Sequence, residues 1–196
     1  MRFWLCASAL GALLLVARAL PSGAQSPDSA KRANELTLAG LRPGKDTLAA
    51  AKKRFGAAHL RPDKSNREHT KVWLDNCTGR SLSVEIDEKG VIQSVTVGRL
   101  LAGSADCTGS PDRHSPIRTD NLKTGRGLKL GDPRDRVVEL YGEPNSSGPS
   151  TKGEQELELL FYAFDWAGSD VPQVMEISCE RATGRVAEVT LAFPSL

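Results

Sequence analysis

The chain has 196 residues, with 26 Lys and Arg against 24 Asp and Glu, and 39% of it is hydrophobic. That length suits one medium domain or two small ones. A balance this close to neutral, with three His, excludes nucleic acid or an anionic membrane as the main partner, because both are held by accumulated positive charge.

Residues 1–24 read as an export signal: Arg2 gives the positive start, Leu5 to Val16 is apolar, and Ser22-Gly23-Ala24 offers the small residues of a cleavage site. The apolar run falls short of the roughly 20 residues that span a bilayer, so no transmembrane segment is predicted. The expected location is periplasmic or extracellular. In the mature chain the 26 basic residues less Arg2 and Arg18 equal the 24 acidic ones. Residues 25–35, rich in Ser, Pro, Asp, Lys and Asn, read as a flexible leader.

In residues 36–102, Gly40-Leu41-Arg42-Pro43-Gly44-Lys45 leads into a helix with Asp46 or Thr47 as cap, Leu48, Ala51 and Phe55 at helical spacing, and Gly56 as the stop. Lys52-Lys53-Arg54 then oppose the negative end of its dipole. Residues 57–70 form a polar loop, and Lys71 to Asn76, Leu82 to Asp87 and Val91 to Gly98 read as an antiparallel meander. Residues 103–123 have linker composition. In residues 124–196 the opening returns as Gly127-Leu128-Lys129-Leu130-Gly131-Asp132, followed by Pro133, a helix carrying Val137, Leu140 and Tyr141, and Gly142 and Pro144 as stop signals. Asn145 to Gly153 reads as a Ser, Gly and Pro loop, and strands are expected at about 156–165, 173–180 and 185–193. The predicted fold is therefore α+β: two tandem units, each a short helix or helix pair followed by a three- to four-stranded antiparallel meander, with the helices on one side of the sheet.

Export leaves Cys77, Cys107 and Cys179 in an oxidising compartment, where one pair and one leftover thiol is the simplest assignment. Cys77 and Cys107 follow the first and third strands at one edge of the meander, and are expected to form a disulfide closing a loop of about 30 residues, contributing about 3 kcal/mol. Cys179 lies in step with Met175 and Ile177 and reads as a small buried apolar side chain.

The recurring pattern of Gly-Leu-x-x-Gly, a helix, Tyr-Gly-x-Pro, a loop, and strands ending in Gly-x-Val-x-x-Val resembles the superfamily of small envelope domains that includes the SmpA/OmlA outer-membrane assembly lipoproteins. Its tandem form is similar in layout to the secreted β-lactamase inhibitor proteins. The resemblance covers residues 36–101 and 124–193, and Gly127 to Pro133 with Val137 and Tyr141-Gly142-Glu143-Pro144 carries it best. In the first unit Pro43 replaces the usual apolar residue, and no Pro follows Gly56. The resemblance implies a shared curved sheet and action by binding proteins.

No nucleophile elbow, zinc-protease helix, P-loop or dinucleotide-binding glycine pattern occurs in the chain. His59, His69 and His114 sit in predicted loops without ligand spacing, so no catalytic residue, metal ligand or cofactor is assigned. Strand alternation locates the candidate site. With Val72, Leu74, Leu82, Val84, Ile86, Val95 and Val97 as core, Trp73, Ser83, Glu85, Ser94 and Thr96 take the opposite face. With Leu157, Leu159, Phe161, Ala163, Met175, Ile177, Cys179, Val189 and Leu191 as core, Tyr162, Phe164 and Trp166 join Glu176, Glu188 and Thr190 there. Aromatic side chains on a polar face are the type that anchors protein interfaces. The expected function is a noncatalytic exported binding protein, inhibitor-like or an envelope-assembly accessory. It would recognise a protein or peptide through Trp73, Glu85, Tyr162, Phe164 and Trp166. The rivals are a hydrolase or carbohydrate-active enzyme built on loops 57–70 and 103–126, and a structural envelope protein without a discrete ligand.

Overall fold

The structure is a computed structural model that describes residues 34–58, 69–75, 78–99, 119–164 and 174–193. The export signal, Cys77, Cys107, Trp166, His59 and His114 lie outside the described residues. Helix α1 spans Leu48–Phe55 and helix α2 spans Arg134–Tyr141. Each buries two residues at i, i+4 spacing, Ala51 with Phe55 and Val137 with Tyr141, which is one stripe of an amphipathic helix. Each ends at a glycine with φ 77, Gly56 or Gly142, a conformation that a side chain would strain. Asp46 and Asp132 do not cap these helices. Their carboxylates instead accept the backbone N–H of Arg42 at 2.8 Å and of Lys129 at 3.0 Å, closing the loops that precede the helices.

The strands are β1 (Thr70–Asp75), β2 (Arg80–Ile86), β3 (Ile92–Arg99), β4 (Ser146–Lys152), β5 (Gln155–Ala163), β6 (Val174–Glu180) and β7 (Val186–Ala192). They form one seven-stranded antiparallel sheet in the order β1-β2-β3-β7-β6-β5-β4. This corrects the expectation of two tandem helix-plus-meander units. β3 pairs with β7 along Ser94–Gly98 and Glu188–Ala192, so no sheet edge separates two units, and a single cluster of buried side chains runs under both helices. Merging the halves offsets the weakness of a core of 70 to 80 residues, a size that is marginal alone.

β4 occupies a stretch whose Ser, Gly and Pro read as a loop. It is an edge strand, exposed at most positions and held by its register with β5 from Ser146↔Phe161 to Lys152↔Gln155. Pro149 is tolerated there because an edge strand leaves half of its backbone groups outside the ladder.

The faces of β1 and β5 are inverted relative to the sequence expectation. Trp73 pairs with Leu82, which pairs with Val97, and the row continues through Val189 and Ile177 to Leu160. Trp73, Tyr162 and Phe164 are therefore sealed in the core, each 0% exposed, and do not belong to the helix-free face. Apolar residues occupy both faces in Val72-Trp73-Leu74 and Leu159-Leu160-Phe161-Tyr162, so alternation leaves the phase open. Polar tips decide it. The Trp73 indole N–H donates to the Gly56 carbonyl at 3.1 Å, and the Tyr162 hydroxyl donates to the Gly142 carbonyl at 3.0 Å. Each ring also packs on the last residue of its helix, with Phe55–Trp73 centroids 6.0 Å apart and Tyr141–Tyr162 centroids 5.9 Å apart.

Glu35, at the end of the segment read as a leader, is 2% exposed. Its carboxylate accepts the N–H groups of Leu36, Thr37 and Arg126 at 2.8, 3.1 and 3.0 Å, and the Tyr141 hydroxyl at 2.8 Å. The phenol has one proton, which goes to the carboxylate, so the Thr124 hydroxyl 2.7 Å away is the donor in their contact. Burial and the neighbouring Glu35 charge push the Tyr141 phenol well above its ordinary range and keep it a donor. Backbone bonds from Ala39 N–H to Lys123 and from Gly125 N–H to Thr37 run alongside, so residues 34–39 are stitched to the loop before α2.

Tyr162→Phe should cost about 1 kcal/mol by removing one buried hydrogen bond, and Trp73→Ser about 4 kcal/mol or more by opening a large cavity, both read from urea midpoints. A neutral response to Trp73→Ser would return Trp73 to the surface. Glu35→Gln should cost about 2 kcal/mol, because an amide cannot accept from all four donors, and it should raise hydrogen exchange at Arg126 and Thr37 ahead of the sheet.

Candidate functional site

Helices α1 and α2 cover the same side of the sheet, since Ala51, Phe55, Val137 and Tyr141 all belong to the one core cluster. The register places a different set on the other side. One row runs Val72, Ser83, Thr96, Thr190, Glu176, Phe161 and Ser146 from edge to edge, and the next runs Leu74, Ser81, Gly98, Glu188, Ser178, Leu159 and Gly148. Hydroxyl groups hold the centre: Thr96 and Thr190 bond each other at 2.9 Å across the β3–β7 seam, and Ser94 donates to Glu85 at 3.0 Å. Apolar side chains flank them, half-buried Leu159 and Phe161 on β5 and Leu74 on β1.

This face is concave at one corner. Lys152, at the end of the β4–β5 hairpin, forms an ion pair with Glu188 on β7. The two strands lie three positions apart in the sheet, about 14 Å if it were flat. The hairpin therefore coils over the helix-free side, following the natural twist of a sheet. Leu157, on the coiled part, is 2% exposed although no described helix covers it. Glu188 lies across Gly98, where a β-carbon would come within 2.8 Å of its carboxylate.

Of the described residues expected to bind, Glu85 alone stands on this face and is exposed. Trp73, Tyr162 and Phe164 are core, and Trp166 is outside the described residues. Phe161, Leu159 and Glu176 take their place. Sequence reasoning missed Phe161 by one residue, and the signal for it lay in its neighbour: both rings gain from burial, but Tyr162 also carries a hydroxyl, and the Gly142 carbonyl at the helix end accepts it.

Chemistry elsewhere is sparse. Among the described residues no group of three His, Cys, Asp or Glu is placed to hold a metal ion, and no helix is long and apolar enough to cross a membrane. His69 is exposed, its carbonyl accepting the Ile86 N–H at 2.8 Å. On the helix side Arg134 holds Glu158 through two bonds of 3.0 and 3.2 Å, and this contact raises the basicity of the guanidinium. Cys179 is a free thiol, 1% exposed, with its pKa pushed up to about 11, first by burial and then by the Glu158 charge. A thiol in that setting is a packing group rather than a nucleophile.

The raised pKa has a sign that can be tested. Below about pH 9 Cys179 is protonated in both states and contributes nothing to the pH dependence. Between about 9 and about 11 the unfolded chain ionises first, so stability should fall by something on the order of 2 kcal/mol. In Cys179→Ala the fall across that window should be shallower when stability is followed by urea titration.

No family model matches the chain, and no curated protein matches it. The structure is similar to a DUF4309 family protein, YjgB, from Bacillus subtilis, with a TM-score of 0.46 and 13% identity over 82% of this chain and 88% of that one. It is similar to a cysteine-rich secretory protein from Staphylococcus aureus, with a TM-score of 0.41 and 16% identity over 81% of this chain and 47% of that one. It is also similar to a candidate β-lactamase inhibitor protein from Streptococcus mutans, with a TM-score of 0.27 and 15% identity over 80% of this chain and 88% of that one.

Proposed function

We propose that this chain is an exported, noncatalytic binding protein that recognises a protein or peptide through the helix-free face of its sheet. One observation carries the reading: Phe161 and Leu159 remain partly exposed on β5 beside exposed Glu176, on a face that neither α1 nor α2 covers. An apolar anchor ringed by polar groups is the arrangement that concentrates binding energy at protein interfaces. Among the described residues the face carries no convergent set of acid, base and nucleophile, and it presents mainly hydroxyl groups and carboxylates. Such a surface suits recognition of another macromolecule better than turnover of a small substrate. Export rests on residues 1–24, whose basic start, apolar stretch and small-residue end fit a secretory signal.

Crosslinking tests the reading. A photoreactive phenylalanine analogue at position 161 should trap a discrete partner from periplasmic or secreted extract, while the same probe at Lys53, exposed on α1, should trap none. Phe161→Ser should abolish that capture with little effect on the urea midpoint. Trapping from position 53 but not 161, or turnover of a substrate that is lost in His69→Ala, would overturn it.

A further inference from the structure

The helix-free face has a charge imbalance that says more about its partner. Among the residues that the register places there, Lys152 is the one cation, and it is already committed to Glu188. Glu85 on β2 and Glu176 on β6 are exposed, and neither forms an ion pair among the described residues. Among the described residues Glu85 meets the Ser94 hydroxyl, which donates to it. Two carboxylates thus face solvent on either side of the neutral Thr96–Thr190 pair.

Their spacing is informative. β2 and β6 are separated by β3 and β7, about 14 Å across the strands, and Glu85 pairs with Ser94, two residues along from the row that joins Thr96, Thr190 and Glu176, so the two positions stand about 16 Å apart on the diagonal. That is far too wide for one metal ion, whose oxygen ligands each approach within about 2.6 Å. It matches an extended segment, which rises about 3.3 Å per residue and returns its side chains to the same face every second residue. Four residues of such a segment span about 13 Å, and the length of its two basic side chains covers the rest of the diagonal. Phe161 lies beside Glu176 as its direct cross-strand neighbour, which sets an apolar contact next to one of the two acidic positions.

Resting on the binding-protein reading above, we infer that the partner presents an extended segment with two Lys or Arg residues about four positions apart and an apolar side chain next to one of them. The segment crosses the strands, with one cation at Glu176, the other at Glu85, a small or polar residue over Thr96 and Thr190, and the apolar group against Phe161. Charge complementarity of this kind sets partner choice and register. The attraction is between exposed groups and weakens as salt is raised.

Panning a phage-displayed library of random dodecapeptides against the purified full chain tests this, with Phe161→Ser and the double variant Glu85→Lys, Glu176→Lys as comparison surfaces whose urea midpoints must match wild type. Wild type should enrich peptides carrying two basic residues three to five positions apart with an adjacent apolar residue. Synthetic copies should bind at least about tenfold more weakly to either variant and more weakly at high salt. Enriched peptides without a basic pair, or no enrichment, would overturn the inference. If such peptides still lose binding to Phe161→Ser, the face remains the binding surface and only the charge rule fails. If binding to wild type and to both variants is equal, the face reading fails with it.

Discussion

Two aromatic side chains decide which side of the sheet is free. Trp73 and Tyr162 each place a ring against the last residue of a helix and give their one polar hydrogen to the carbonyl of the glycine that ends it. A ring of that size is stabilised by burial on the order of 2–3 kcal/mol, and its polar tip would be costly to bury unpaired. With those requirements met only on the helix side, Val72, Leu74, Leu159 and Phe161 have no choice but the opposite face. The anchors thus lock each helix to its strand and at the same time create the surface to which we assign recognition.

The seam between β3 and β7 makes the anchors cooperative. Val97 pairs with Val189 and Val95 with Leu191 on the core side, while Thr96 meets Thr190 on the other. One side of the seam joins the cores beneath α1 and α2, and the other lays a neutral hydroxyl floor between Glu85 and Glu176. The Glu35 cluster adds a tie of a different kind. Four donors converge on one buried carboxylate, so the start of the described chain is bound to Tyr141 on α2 by charge-assisted bonds rather than by apolar area.

Legibility varied with how sharply each segment contrasts its two faces. β2, β3, β6 and β7 carry Ser83, Glu85, Ser94, Thr96, Glu176, Glu188 and Thr190 between apolar residues, and their faces could be read directly from alternation. β1 and β5 have bulky apolar groups on both sides, and the bonds that choose between them run to Gly56 and Gly142, far away in sequence. Both glycines were legible as helix ends because a left-handed terminus favours glycine. β4 was hidden because Ser146 to Lys152 is composed of turn residues, and only its neighbour β5 makes it a strand. Asp46 and Asp132 were legible as important and misassigned in role: a carboxylate near a helix start serves equally to close a glycine-containing loop.

Phe161 faces outward because Trp73 and Tyr162 face inward. Hydroxyl-radical footprinting of the free protein, read residue by residue by mass spectrometry, tests it most directly. Phe161 and Leu159 should be modified rapidly, with strong protection of Trp73 and Tyr162. Protection of Phe161 together with rapid labelling of Trp73 and Tyr162 would contradict it.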